Sequence, residues 1–130
     1  MFKTRKGFTL IELLVVIGII AILAGIVLVA VNPSRNFASS RNATREHDVS
    51  QILSAVVQYA TDNDGTYPSG ISATPVNVST IATDLAPTYM PSVPTDPKGE
   101  VDYTVSQDTE GRITVSAPGA ENNETISVTQ

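Results

Sequence analysis

The sequence predicts an α+β chain: a long N-terminal α-helix, first transmembrane and then amphipathic, packed on a small three-stranded antiparallel sheet. Three observations predict it. Twenty of the 24 residues from Phe8 to Val31 are apolar. Between Glu46 and Ala60, apolar residues recur at helical spacing. Three short stretches near the C-terminus alternate apolar and polar residues. The overall figures, 42% hydrophobic and net charge −5 over 130 residues, average two unlike parts.

The apolar run comes first. Leu13 to Val31 holds 19 residues without a charge. As a helix it would span about 28 Å, close to the hydrocarbon thickness of a bilayer. Lys3, Arg5 and Lys6 precede it, which favours an N-terminus kept on the cytoplasmic side. Arg35, Arg41 and Arg45 lie beyond it and weaken that bias. A secretory signal would be cut after its apolar region at a small-residue site, and no clear site follows Val31. A plain single-pass anchor fits the length but leaves Glu12 unexplained. A carboxylate inside an apolar helix is costly and marks function by default.

Lys6-Gly7-Phe8-Thr9-Leu10-Ile11-Glu12-Leu13-Leu14-Val15-Val16 closely resembles the class III signal of bacterial type IV pilins and type II secretion pseudopilins. The resemblance implies that a membrane prepilin peptidase removes residues 1–7 by cutting after Gly7, and that the new N-terminal residue, Phe8, is N-methylated. It also implies an assembly role for Glu12, whose carboxylate would pair with the Phe8 amine of a neighbouring subunit. Such a pair sets register more surely than it adds stability. Residues 8–31 would then serve as both anchor and polymerisation helix, in a pilin-like lollipop. The implied partners are other filament subunits, the membrane lipid, an inner-membrane platform protein and an assembly ATPase. The implied location is the cytoplasmic membrane, single-pass with the head outside the cytoplasm, and then an extracellular or periplasmic filament. Cleavage would remove three bases and no acid, moving the side-chain balance from −5 to −8.

Residues 32–62 read as an amphipathic extension of the helix. Pro33 removes one backbone hydrogen bond. It either kinks the helix or ends the membrane segment and starts a new one. Val49, Ile52, Leu53, Val56, Val57 and Ala60 fall on one face. Arg41 and Arg45 stand four apart, either on a solvated face or facing acids of a neighbouring subunit. His47 reads as a surface residue. Asp62-Asn63-Asp64-Gly65 lacks the first and twelfth acids of an EF-hand loop and reads as a glycine-terminated helix end.

Residues 63–130 form the predicted soluble head. Six of the eight prolines fall between 66 and 98, which reads as connecting chain with a short helix near Ser79–Ala86. Thr66-Tyr67-Pro68 resembles a phrase that follows the long helix in pseudopilin-like proteins. The stretch from Tyr89 to Gly99 resembles the Tyr-Leu-x-x-Leu-Pro-x-Asp-Pro-Trp-Gly phrase of major (G-like) pseudopilins, with Lys98 in place of Trp. Strands are expected at Asp102–Gln107, Gly111–Ala117 and Thr125–Thr129. Tyr103, Val105, Ile113 and Val115 should share the inner face.

Major pseudopilins typically bind calcium near the C-terminus, and Asp96, Glu100 and Asp102 are the candidate ligands that this resemblance implies. The alternative is a solvated acidic surface, with no cofactor. An enzyme is not expected: no G-x-S-x-G, metal cluster or nucleophile–base pair is present. With no Cys, disulfides and thiolate sites are excluded. Residues 46–130 hold twelve acids and two bases, so nucleic acid is not an expected partner. Two other functions stand beside the filament subunit. One is a membrane-anchored binding module that never polymerises; the other is a competence pilin for DNA uptake, which the Arg35, Arg41 and Arg45 stripe would serve. The sequons Asn42-Ala43-Thr44, Asn77-Val78-Ser79 and Asn123-Glu124-Thr125 read as chance patterns.

Overall fold

The computed structural model describes residues 4–130. Lys3 and the start of the expected leader lie outside the described residues. The chain divides into a unit ending at Asn36 and a unit from Phe37 to Gln130.

In the first unit, residues 4–9 are not helical, and helix α1 runs Leu10–Val31. Thr9 is its N-cap in extended geometry. At 22 residues, α1 is about 33 Å long. Its apolar side chains point all round, none of its residues is buried, and its most apolar stretch has a mean hydropathy of 3.3. A helix apolar on every side has no polar face to give to water. By length and composition α1 can cross a membrane.

The helix stops at Asn32, which is left-handed at φ 46°. Asn tolerates that conformation better than most residues. The Asn36 side chain donates to the Val31 carbonyl at 3.1 Å, and Asn32 Oδ1 accepts from the Arg35 backbone N–H at 3.3 Å. Helix α2, Pro33–Asp62, begins immediately afterwards. Pro33 is thus its first residue, where a missing N–H costs nothing. Pro33 thus opens a second helix, and the left-handed Asn32 interrupts the helical ladder just before it.

In the second unit, α2 buries Ala38, Asn42, Arg45, Asp48, Val49, Ile52, Ala55, Val56 and Ala60. These positions form one stripe at three- and four-residue intervals, as a helix packed on one side requires. The stripe includes Val49, Ile52, Val56 and Ala60 as expected, while Leu53 and Val57 are half-buried. The helix ends where Gly65, at φ 84°, donates its N–H to the Ala60 carbonyl at 2.7 Å. That backbone conformation strains any residue with a Cβ.

The sheet has four strands rather than three: β1 Val76–Asn77, β2 Thr104–Gln107, β3 Ile113–Ser116 and β4 Ser127–Thr129. All pairs are antiparallel, in the order β1-β2-β3-β4. The extra strand, β1, lies in the proline-rich segment and is two residues long. A single 3₁₀ turn at Val78–Ile81 runs into the short helix α3, Ala82–Leu85. Tyr103, Val105, Ile113 and Val115 are buried together, as expected, with Ile52 and Val56 of α2 and with Ile81, Leu85 and Ile126.

Candidate functional site

Two places carry chemistry: the start of α1 in the first unit, and a charged cluster in the second.

At the first place, the Gly7–Phe8 bond lies in the non-helical segment ahead of the N-cap, and Phe8 is 84% exposed. Among the described residues, nothing lies within 4 Å of where a Cβ on Gly7 would point. The packing of the described residues gives no reason for glycine there. Glu12 sits in the first turn of α1 and forms a reciprocal capping box with Thr9. The Thr9 N–H donates to Glu12 Oε2 at 2.9 Å, and Thr9 Oγ1 accepts from the Glu12 N–H at 3.2 Å. Two N–H groups that a helix start leaves unpaired are thereby satisfied. The acid at this end also meets the positive pole of the helix dipole. The carboxylate that looked unexplained in the apolar run therefore has a partner within its own chain.

Residues 2–28 match the family described as the prokaryotic N-terminal methylation motif. Over this stretch the chain is similar to a type IV prepilin signal, which supports a type IV pilin-like protein. Gly7, Phe8 and Glu12 all fall inside the matched stretch. No curated protein and no solved structure matches the chain.

At the second place, the sequence expectation for Arg41 and Arg45 is overturned. Arg45 is neither on a solvated face nor turned to a neighbour: it is 0% exposed. Its Nε donates to Asp96 Oδ2 at 2.6 Å and its NH2 to Asp96 Oδ1 at 3.0 Å. Its NH1 donates to Glu121 Oε2 at 2.7 Å and to Asn42 Oδ1 at 2.9 Å. Arg41 grips the same Glu121 through Nε and NH2, both at 2.7 Å. Lys98 Nζ lies 3.1 Å from Glu121 Oε1. Asn42 adds the loop backbone: its Nδ2 donates to the Glu121 carbonyl at 2.9 Å and to Glu124 Oε2 at 2.8 Å, and its Oδ1 accepts from the Glu121 N–H at 3.0 Å. The loop between β3 and β4 is thereby fastened to α2.

The charges respond as this geometry requires. Hydrogen bonds from Arg41 and then Arg45 hold the Glu121 carboxyl far below the usual carboxylate range. The hydrogen bonds from Arg45 also lower the Asp96 carboxyl, against the opposing effect of burial. The bond to Asp96 keeps the Arg45 guanidinium charged despite its own burial. Nearby, Tyr103 Oη donates to Asp48 Oδ2 at 2.6 Å, and burial followed by this bond pushes the phenol above its ordinary value.

The calcium candidates are not gathered. Among the described residues, no group of three or more acids or histidines is arranged to hold a metal ion. Asp96 is buried and given to Arg45, Glu100 is exposed, and Asp102 accepts a hydrogen bond from Ser79 Oγ at 2.9 Å. Both alternatives for Asp96 thus give way to an internal ion pair. The engagement of Arg41 and Arg45 also removes two members of the stripe that a DNA-binding reading would use. His47 is exposed, as expected, and meets Gln51.

Asn42, read from the sequence only as the head of a chance sequon, and Asp48 and Glu121 were not expected to be buried partners. A signal for the first existed. Carrying the Val49, Ile52, Val56 period backwards by three and four residues reaches Arg45, Asn42 and Ala38.

Proposed function

We propose that the chain is a structural subunit of a type IV filament, either a type IV pilus or a type II secretion pseudopilus. Prepilin peptidase cuts it after Gly7, Phe8 becomes the methylated N-terminus, and α1 holds the subunit in the cytoplasmic membrane with the head outside the cytoplasm. An assembly ATPase and platform protein then draw subunits into a filament, and α1 exchanges lipid contacts for contacts with other α1 helices. No catalysis by the chain itself is involved. One observation carries this reading: the prepilin signal leads directly into a helix that is apolar on every side and buries none of its residues. The exposed, non-helical Gly7–Phe8 bond supports access by a peptidase. The phrase from Tyr89 to Gly99 favours the major pseudopilin branch.

The test is co-expression with a prepilin peptidase, followed by mass spectrometry of the N-terminus and electron microscopy for filaments. A mature chain beginning at Phe8 with one added methyl group, together with filaments, is the expected result. An intact N-terminus, or a processed chain that forms no filament with the assembly machinery present, would sink the proposal.

A further inference from the structure

Calcium enters only through the pseudopilin reading above. The donor atoms that would serve it are already committed. Calcium takes six to eight oxygens and prefers carboxylates. Asp96 Oδ1 accepts from Arg45 and from the Lys98 N–H, the latter at 2.9 Å, and Asp96 Oδ2 accepts from Arg45. Glu121 has both oxygens on Arg41, one of them also on Arg45 and the other near Lys98. Glu124 Oε2 accepts from Asn42. The charges also cancel: Asp96, Glu121 and Glu124 face Arg41, Arg45 and Lys98. A divalent ion added there would leave two positive charges uncompensated in a poorly solvated place.

We infer that Arg45 is a built-in cation standing where the pseudopilin resemblance would put calcium, and that it leaves no carboxylates there for a metal ion. It closes the loop between β3 and β4 onto α2, and makes the fold indifferent to divalent cations. Arg suits the role because its planar fork engages a carboxylate with two bonds and keeps its charge when buried. Gly119 completes the fit: a Cβ there would lie 2.8 Å from Asp96 Oδ2, so the loop backbone closes directly over the ion pair.

The test is thermal unfolding of the full chain in detergent micelles, followed by near-ultraviolet circular dichroism. Its four tyrosines all lie in the second unit, and it has no Trp. Melts are taken with millimolar calcium, with magnesium and with a chelator. The midpoint should be the same in all three. A calcium site filled a hundredfold above its dissociation constant would raise the midpoint by roughly 10 °C or more, and a calcium-specific rise of that order would overturn the inference. In a second arm without calcium, Arg45→Lys and Arg45→Gln are compared with the parent. The midpoints should fall in the order parent, Lys, Gln, and a Gln variant with no folded head counts with that order. A Gln variant as stable as the parent would overturn the inference. Neither arm reads filament assembly, so this inference and the filament reading can fail separately.

Discussion

Arg45 and Asp96, 51 residues apart in sequence, meet in two parallel hydrogen bonds with both side chains out of solvent. Removing one partner of such a pair leaves a buried charge without its counter-charge, at a cost of about 3–5 kcal/mol. Asp96→Ala should therefore lower the denaturant unfolding free energy by an amount near the lower end of that range, since Glu121 still neutralises part of the Arg45 charge. A loss under 1 kcal/mol would show that the pair contributes little to holding the loop.

Acid should loosen the same cluster. Asp96 and Glu121 have folded pKa values below their ordinary 3.8 and 4.5. The unfolded state therefore takes up protons first as pH falls. The stabilisation is fully present above the ordinary values and is lost progressively below them. Melting temperature measured from pH 7 downward should hold steady to about pH 5 and then fall. Glu121→Gln should flatten the fall, and an unchanged acid slope in that variant would count against Glu121 as a source.

Tyr103 gives a test at the other end of the pH scale. Its pKa is raised, so the folded state keeps the phenol proton after the unfolded state has lost it. Its stabilising contribution is present below pH 10 and is lost as pH rises further. Spectroscopic titration should find that Tyr103 ionises later than an ordinary tyrosine, an effect absent from Tyr103→Phe. The same variant leaves the buried Asp48 without its hydroxyl donor, costing about 1–3 kcal/mol. Equal stability of parent and variant at pH 7 would refute that contribution.

Glu12→Gln separates two roles of one residue. An amide oxygen can still accept from the Thr9 N–H, so the capping box survives, but the charge is gone. If Glu12 pairs with the Phe8 amine of a neighbour, the Gln variant should assemble as poorly as Glu12→Ala while both still insert. Filament yields restored by Gln would assign Glu12 to capping alone.

Gly119→Ala should destabilise the head through a contact rather than through backbone strain. The new methyl would press on the Asp96 carboxylate, which Arg45 holds fixed. A cost of about 1–3 kcal/mol is expected. The change should largely vanish in an Asp96→Ala background, which a double-mutant cycle would measure.

The sequence made some of these elements plain and hid others for physical reasons. The segment forming α1 was legible because nothing but an apolar environment suits such a composition. The inner face of β2 and β3 was legible because alternation through Tyr103, Val105, Ile113 and Val115 has period two. Strand β1 was not, because two residues after Pro75 are too few to show a period. The buried stripe of α2 was read only from Val49 onward, since upstream it continues as Asn42, Arg45 and Asp48, and polar residues ordinarily face water. What buries them is their partners, Asp96, Glu121 and Tyr103, which lie more than 50 residues away and leave no local trace. Gly7, Phe8 and Glu12 were visible because their signal is local and contiguous.

Asn42 carries a consequence for how the protein is produced. It heads the sequon Asn42-Ala43-Thr44, yet it is 2% exposed and its amide nitrogen already donates twice to the loop. A sugar attached to that nitrogen has no room beside Glu121 and Glu124. In a eukaryotic secretory host, glycosylation would have to precede folding, and each chain so modified would be barred from closing its loop. An unglycosylated fraction enriched in the folded pool, and Asn42-linked sugar confined to the misfolded pool, would be the mark of that competition.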